Sequence, residues 1–453
     1  MILLTLSVAI FASAAVWILP ASGGLVAYLA ATCWYPQYLA VSIGAVDLSV
    51  SRIVVLVMLV RLLTRPIDAT LARWRWIDIL VIVSFFAAVL SLLTNEVAMR
   101  VIEREGGRLF DTLLAYLVAR LSLRTRADVF RLFQGLVIIA MPLAAIGIYQ
   151  SITGHNPYAW MREYNAFGDR PQEIDIRYGL YRADASFGEK ISFGLFFAMV
   201  LYLNLARTKV KDRAQRVRLA VMQVPIFIGL ISAMSSAPMF SAAMSLFFVM
   251  LFPFRRAWPY AAIVIFAVCA TLEVASDRHF YEVLTRLALN KGTASYRIGL
   301  INEALDGGMS GRWLTGFGYI GFGPGAWGHN GFNWQHSDLV NLYIGILART
   351  GLVGLIPYLV LNGGYYWCLY RAGRIATTFE DRWMVWCISA GLVGWNVAML
   401  TVGALGQTSS LLYILMAVAG ACPYLVAQRA TVVSGESDKI AVFRKPNAAR
   451  IYS

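Results

Sequence analysis

Phe187–Leu203 reads FGEKISFGLFFAMVLYL. Two charged residues, Glu189 and Lys190, stand at the mouth of a run that is otherwise apolar. Ionisable groups at such a place either line a water-filled cavity on a substrate path or snorkel to lipid headgroups. Either way the run itself belongs in a bilayer.

The pattern recurs along the chain. Apolar residues occupy 59% of the 453 positions and charged residues 14%, the composition of a polytopic membrane protein and not of a soluble domain. A helix needs roughly 20 apolar residues to cross the hydrocarbon, which divides this chain into about thirteen spans within an all-α fold of about 12–14 transmembrane helices. The spans lie near 2–20, 24–42, 47–63, 77–94, 108–121, 130–151, 188–206, 218–236, 238–254, 257–275, 351–370, 384–405 and 408–427. The organisation that follows is N-terminal helices over 1–151, an outer loop at 152–187, and central helices at 188–275. A larger outer loop at 276–350, C-terminal helices at 351–428 and a polar, disordered tail at 429–453 complete it.

Alternate loops are basic: Arg61 to Arg75, Arg120 to Arg131, Arg207 to Arg218, Arg255/Arg256, Arg371 to Arg382, and the tail from Arg429. Arginine and lysine excess marks the cytoplasmic side. Residues 95–107, 152–187 and 276–350 are then outside and the C-terminus is in the cytoplasm. The first apolar segment has no basic residue before it, so it reads as a retained span and not a cleaved signal. Basic loops facing anionic lipid account for most of the +14 net charge. A soluble basic face with aromatic readers is missing, which excludes nucleic acid as a partner. The cysteines, Cys33, Cys269, Cys368, Cys387 and Cys422, sit in or at apolar spans without a CxxC pair and read as small core hydrophobes.

The outer loop 153–187 carries Arg162, Arg170, Arg177 and Arg182, with Lys190 just inside the next span. Cations on the side that disfavours them have two explanations. They pair with Glu163, Asp169, Glu173, Asp175 and Asp184 on a solvated loop, or Arg182 and Lys190 face a diphosphate at the membrane surface. The planar guanidinium makes two charge-assisted bonds to phosphate oxygens.

In the second outer loop, SYRIGLINEAL at Ser295–Leu305 predicts a short helix capped by Thr293 or Ser295, with Arg297 near its start. The run after it is rich in glycine and tryptophan, with Arg312 at its beginning. Gly316-Phe-Gly318-Tyr-Ile-Gly321 matches the dinucleotide fingerprint only formally, because that motif needs a strand before it and a helix after it. His336 precedes Leu339, Val340, Tyr343 and Leu347, apolar residues at helical spacing. It is predicted to open a helix and, titrating near neutral pH, to serve as general base towards a sugar hydroxyl; packing or capping is the plainer role. His329 lies among glycines, and His155 and His279 have no supporting pattern. Walker, HExxH and DxD motifs are missing, so an enzyme here needs neither metal nor other cofactor and must receive an already activated substrate.

Three stretches resemble the O-antigen ligase/polymerase-like membrane proteins (Wzy C-terminal domain). They are RADASFGEKISFG at Arg182–Gly194, SYRIGLINEAL followed by GFG at Gly316–Gly318, and His336 leading to ARTGLVGL at Ala348–Leu355. The resemblance implies a GT-C-like, inverting, metal-independent glycosyltransferase in a bacterial inner membrane. His336 would be the base, Arg182 and Arg297 would hold the pyrophosphate with Lys190, and Arg177 and Arg312 are further candidates. Arg177…Gly188 and Arg312…Gly323 fit the Arg-x10-Gly spacing noted in polymerases.

The implied donor is an undecaprenyl-pyrophosphate-linked oligosaccharide, and the acceptor is a glycan or lipid A-core. The lipid bilayer is the other partner, with a chain-length regulator left open. Family members often carry Ser-Arg-Gly at the start of a middle span, where this chain has Ser235-Ser236-Ala237-Pro238. That departure favours a repeat-unit polymerase for exopolysaccharide or O-antigen over a ligase. A transporter or flippase predicts internal repeats and midplane charges, and neither is visible in the sequence.

Overall fold

The computed structural model describes residues 1–43, 46–65, 74–165, 175–209, 212–257, 309, 311–319, 341–403 and 406–443, and a few positions between 260 and 302. Its helices are α1 (Ile2–Ile18), α2 (Ala21–Trp34), α3 (Val50–Thr64), α4 (Trp76–Leu93) and α5 (Ala98–Leu109). A π turn, Phe110–Leu114, joins α5 to α6 (Ala115–Ser122). Then come α7 (Arg126–Thr153), α8 (Lys190–Leu205), α9 (Arg213–Val221), α10 (Gln223–Ser232) and α11 (Ser236–Met250). The last three are α12 (Leu342–Ile375), α13 (Phe379–Met399) and α14 (Gln407–Phe443). Among the described residues two small hairpins interrupt the helices: β1 (Ala40–Ile43) pairs with β2 (Val46–Ser49), and β3 (Ile176–Arg177) with β4 (Leu180–Tyr181), both antiparallel.

Among the described residues five helical stretches are long and apolar enough to cross a membrane: Trp76–Leu93, Arg126–Thr153, Arg213–Ser232, Leu342–Ile375 and Gln407–Gln428. Shorter apolar helices, Ile2–Ile18, Ala21–Trp34, Lys190–Leu205 and Ser236–Met250, accompany them. α4 shows the surface such a helix presents. Ile77, Val81, Phe85, Ala88 and Leu92 are buried, whereas Ile79, Val83, Phe86 and Leu90 are exposed. An outward apolar stripe of this kind suits hydrocarbon and not water. The molecule is built as a helical membrane protein.

Several expected spans have other boundaries. The span placed at 24–42 ends at Trp34, before Pro36, which cannot continue a helix. The chain then enters the β1–β2 hairpin. The span placed at 108–121 belongs to a longer unit from Ala98 whose first half carries Arg100, Arg104 and Arg108. α14 runs through Phe443, past the point where a disordered tail was expected to begin.

α8 is the centre of the bundle. Every residue from Ser192 to Asn204 is buried, as expected of a helix that is apolar all round. α11 and α7 lie against it, α13 packs along α11, and α12 packs on both α4 and α14. α12 is kinked at Gly351, whose φ of 59° is left-handed. A Cβ there would meet the Leu314 carbonyl at 2.2 Å, so only glycine fits.

The loops gather at opposite ends of the bundle. At one end Arg61 donates to the carbonyls of Val16 and Leu19, and Arg126 pairs with Glu380 and Asp381 at 3.2 and 2.9 Å. Trp383 donates to the Leu205 carbonyl at 2.9 Å, and Lys209 covers its ring. Asp78 accepts from Tyr116 at 2.6 Å and pairs with Arg120 at 3.3 Å. At the other end Thr5 meets Tyr35 at 2.8 Å, Arg52 pairs with Asp111 at 2.8 Å, and Ser91 donates to Thr315 and Thr350.

Candidate functional site

The segment before α8 does not run over the surface. Ala183 to Phe187 are all buried, and the polar side chains that take them there bond within the protein. Gln150, in the last turn of α7, donates to Asp184 Oδ1 at 2.8 Å. Its carbonyl accepts from the backbone N–H groups of Asp184 and Ala185 at 3.1 and 3.0 Å. Asn156 donates to the same carboxylate oxygen at 2.8 Å and to the Ala185 carbonyl at 3.0 Å, and Arg162 pairs with the other oxygen. The Ser186 hydroxyl donates to the Cys33 carbonyl, and Gln407, at the start of α14, donates to the Ser186 carbonyl at 3.3 Å. Ala185 pays for this seat with a φ of 47°, a conformation that non-glycine residues adopt only under constraint.

Next to the seat stand three of the cations singled out in the sequence. Arg182 hydrogen-bonds Asp175 and donates through Nε to the Ala233 carbonyl at 3.2 Å. Lys190 Nζ lies 3.5 Å from the same Asp175 oxygen, and Arg177 lies 3.9 Å from the other. Arg177 also donates to the Met234 carbonyl at 3.3 Å. Arg182 and Arg177 thus share a single carboxylate among the described residues. Burial alone would raise the Asp175 carboxyl, but the Arg182 hydrogen bond and the charges of Arg182, Lys190 and Arg177 hold it below the usual carboxylate range. The pairing with Asp175 is one of the two arrangements the loop composition allowed. The Asp184 pairing with Arg162 is another ion pair of the same loop, but a buried one.

The turn between α10 and α11 completes this side. Met234 has a φ of 43°, and Ser232 accepts from Ala183 N at 2.9 Å and from Ser151 at 3.1 Å. Ser235-Ser236-Ala237-Pro238 follows directly. The place where the chain departs from the Ser-Arg-Gly pattern therefore adjoins the carbonyls that receive Arg177 and Arg182.

A second polar group lies at the same end of the bundle, and the sequence reading missed it. The GFG run docks on the α12 kink: Phe317 N donates to Ala348 at 2.8 Å and Gly318 N to Arg349 at 3.0 Å. In return Leu352 N donates to Trp313 at 2.8 Å and Val353 N to Leu314 at 3.1 Å. The chain there serves as a docking strip and not as a phosphate loop between strand and helix. Tyr319 bonds Glu96 through its N–H and Glu105 through its hydroxyl. Burial and the Glu105 carboxylate push its phenol far above the usual range. Arg104 covers the Tyr319 ring at 4.5 Å, Arg108 pairs with Glu105 at 3.3 Å, and Arg349 sits within electrostatic reach of Arg108 and Arg104. The available signal was the i, i+4 spacing of Arg100, Arg104 and Arg108, which puts all three on one face of α5.

α14 touches both groups, through Gln407 at the seat and through Tyr413, which lies within electrostatic reach of Arg108 and Glu105. Arg312 stays apart from the Asp175 group; it is exposed and donates to Asn95 at 2.8 Å. His336, His329 and Arg297 lie outside the described residues. The helix that His336 was expected to open begins at Leu342, where the Asn341 side chain accepts from the N–H groups of Tyr343 and Ile344 at 3.0 and 3.2 Å. Cys33, Cys368, Cys387 and Cys422 are buried and free. Among the described residues no group of three histidine, cysteine or acidic side chains is placed to hold a metal ion. No protein-family model matches the chain, and no curated protein matches it.

Proposed function

We propose that the chain is a glycosyltransferase of a bacterial inner membrane that polymerises undecaprenyl-pyrophosphate-linked glycan repeat units, with the basic end of the bundle in the cytoplasm. The observation that carries this reading is the convergence of Arg177, Arg182 and Lys190 on Asp175 beside a buried loop. Diphosphate is a good leaving group once its charge is neutralised, and guanidinium groups can do that by charge-assisted bonds. The Gln150, Asn156 and Ser186 hydrogen bonds hold the loop before any ligand arrives, which limits reorganisation during the reaction.

In the proposed reaction an acceptor hydroxyl oxygen attacks the anomeric carbon. The bond from that carbon to the pyrophosphate oxygen breaks, and its electron pair leaves with the pyrophosphate. The hydroxyl proton goes to His336. Arg182, Arg177 and Lys190 hold the departing diphosphate, which displaces the half-buried Asp175 from them. Arg297 is proposed as a further contact, and no cofactor is required.

Radiolabelled lipid-linked repeat units offered to the purified protein test this. Polymer formation supports it. Transfer only to lipid A-core would make the protein a ligase, and transbilayer movement without bond formation would make it a transporter. Loss of activity to a chelator, restored by Mg²⁺ or Mn²⁺, would overturn the metal-free mechanism.

A further inference from the structure

At the opposite, basic end of the bundle a cleft of about 280 Å³ opens between the α1–α2 turn and the end of α3. Pro20, Ala21, Arg61, Leu62, Arg65 and Arg124 line it. The structure assigns this cleft as a binding site for the phosphate-bearing headgroup of an anionic phospholipid. The assignment is independent of the proposed glycan transfer.

The cleft is lined by three guanidinium groups, and their bonds go to backbone carbonyls instead of carboxylates. Arg61 donates to Val16 and Leu19, Arg65 to Trp17 at 3.2 Å, and Arg124 to Leu121 at 3.5 Å. Among the described residues none of the three has an acidic partner within 4 Å. Arg65 and Arg124 both repel Arg61, so their convergence costs free energy that an anion would recover.

Arg61 is only 3% exposed, and its Nε–H has no hydrogen-bond partner. A buried orphan donor of a charged group is expensive to leave unmet. It is brought there by a dedicated close approach: a Cβ on Gly24 would lie 2.9 Å from Arg61 Nη1. The first turn of α2 also faces the cleft through Ala21, and helix N-terminal N–H groups favour an anion.

The surroundings identify the ligand as a lipid. Trp17, Ile18, Val60 and Leu63 are exposed beside the cleft, an apolar wall on which acyl chains can lie while the phosphate reaches the arginines. Basic pockets between membrane helices bind anionic headgroups in this way.

Native mass spectrometry of the detergent-purified protein incubated with phosphatidylglycerol or phosphatidylcholine tests the assignment. Retention of phosphatidylglycerol over phosphatidylcholine is expected. Arg65→Gln with Arg124→Gln leaves the structural Arg61 in place and should weaken that retention by roughly 25-fold, at about fivefold per arginine. Arg213→Gln with Arg216→Gln, on exposed positions of α9 away from the cleft, should leave it unchanged. Equal retention of the two lipids, or equal losses in both double variants, would overturn the site in favour of diffuse surface charge. Complete competition by millimolar inorganic phosphate would overturn the lipid and make it a free-phosphate site.

Discussion

Lys190 Nζ stands 3.5 Å from the same Asp175 oxygen that accepts from Arg182. One carboxylate atom therefore binds the first residue of the central helix to the loop that precedes it. In the proposed reaction a diphosphate oxygen displaces it from the two cations.

Arg182→Lys should weaken donor use although the charge is kept. The variant loses the Nε bond to Ala233 and the fork geometry. Removing a hydrogen bond to a charged group costs about 1.5–3 kcal/mol, so kcat/KM for the lipid-linked donor should fall roughly 10- to 150-fold. Unchanged kcat/KM would reduce Arg182 to a structural residue of the loop.

Asp175 makes the loop sensitive to acid. Its folded-state carboxyl titrates below the usual value, so its contribution is complete above the unfolded pKa of about 3.9 and is lost as the pH falls through the folded one. Hydrogen exchange over 175–190 should be flat from neutral pH to about 5 after correction for intrinsic rates, and should rise below about 4. Asp175→Asn should show the acid-exposed behaviour at neutral pH.

Removing Arg162 should be far more damaging than removing Arg177. Arg162→Ala leaves the buried Asp184 without its cation, a loss of about 3–5 kcal/mol. Arg177 is paired at 3.9 Å in a half-exposed setting, where an ion pair contributes at most about 1 kcal/mol. Thermal unfolding in detergent should show a large drop for the first variant and little for the second.

Gly351→Ala should loosen the docking of the GFG run on α12. The positive φ with an extended ψ, a region almost confined to glycine, costs a side-chain-bearing residue about 1–3 kcal/mol, and the new Cβ would collide with the Leu314 carbonyl. Proteolysis at 311–319 should accelerate while the helical circular dichroism is preserved; unaltered proteolysis would show that the kink tolerates a side chain.

His336→Ala should abolish polymer without affecting membrane insertion, with a loss of about 10²–10⁴ in rate for a positioned base. His329→Ala should be mild. Normal polymer from the His336 variant would remove the base from the proposed mechanism.

The sequence by itself determined that the chain is helical and built for a membrane. Apolar runs and the placement of arginine are local properties, and the transfer cost of a charge acts on each loop separately. It also singled out Arg182 and Lys190 together, because they flank the mouth of the same span, whereas Arg177 stood apart as a further candidate and Arg297 was grouped with them from a distant loop. The lengths of the spans were less legible. Pro36 and the hairpin after it end α2 early, and the charged face of α5, Arg104 and Glu105 included, is carried in helix because it packs against Tyr319 from far along the chain.

Only the tertiary structure decided that Asp175, one of five acidic residues in its loop, takes the three cations, and that Asp184 is buried under Gln150, Asn156 and Arg162. It alone brought Arg349 to Arg104 and Arg108, and Arg61, Arg65 and Arg124 to one cleft. Such convergence depends on how helices distant in sequence pack, and the close approaches allowed by Gly24 and Gly351 become visible only once the neighbouring backbone is in place.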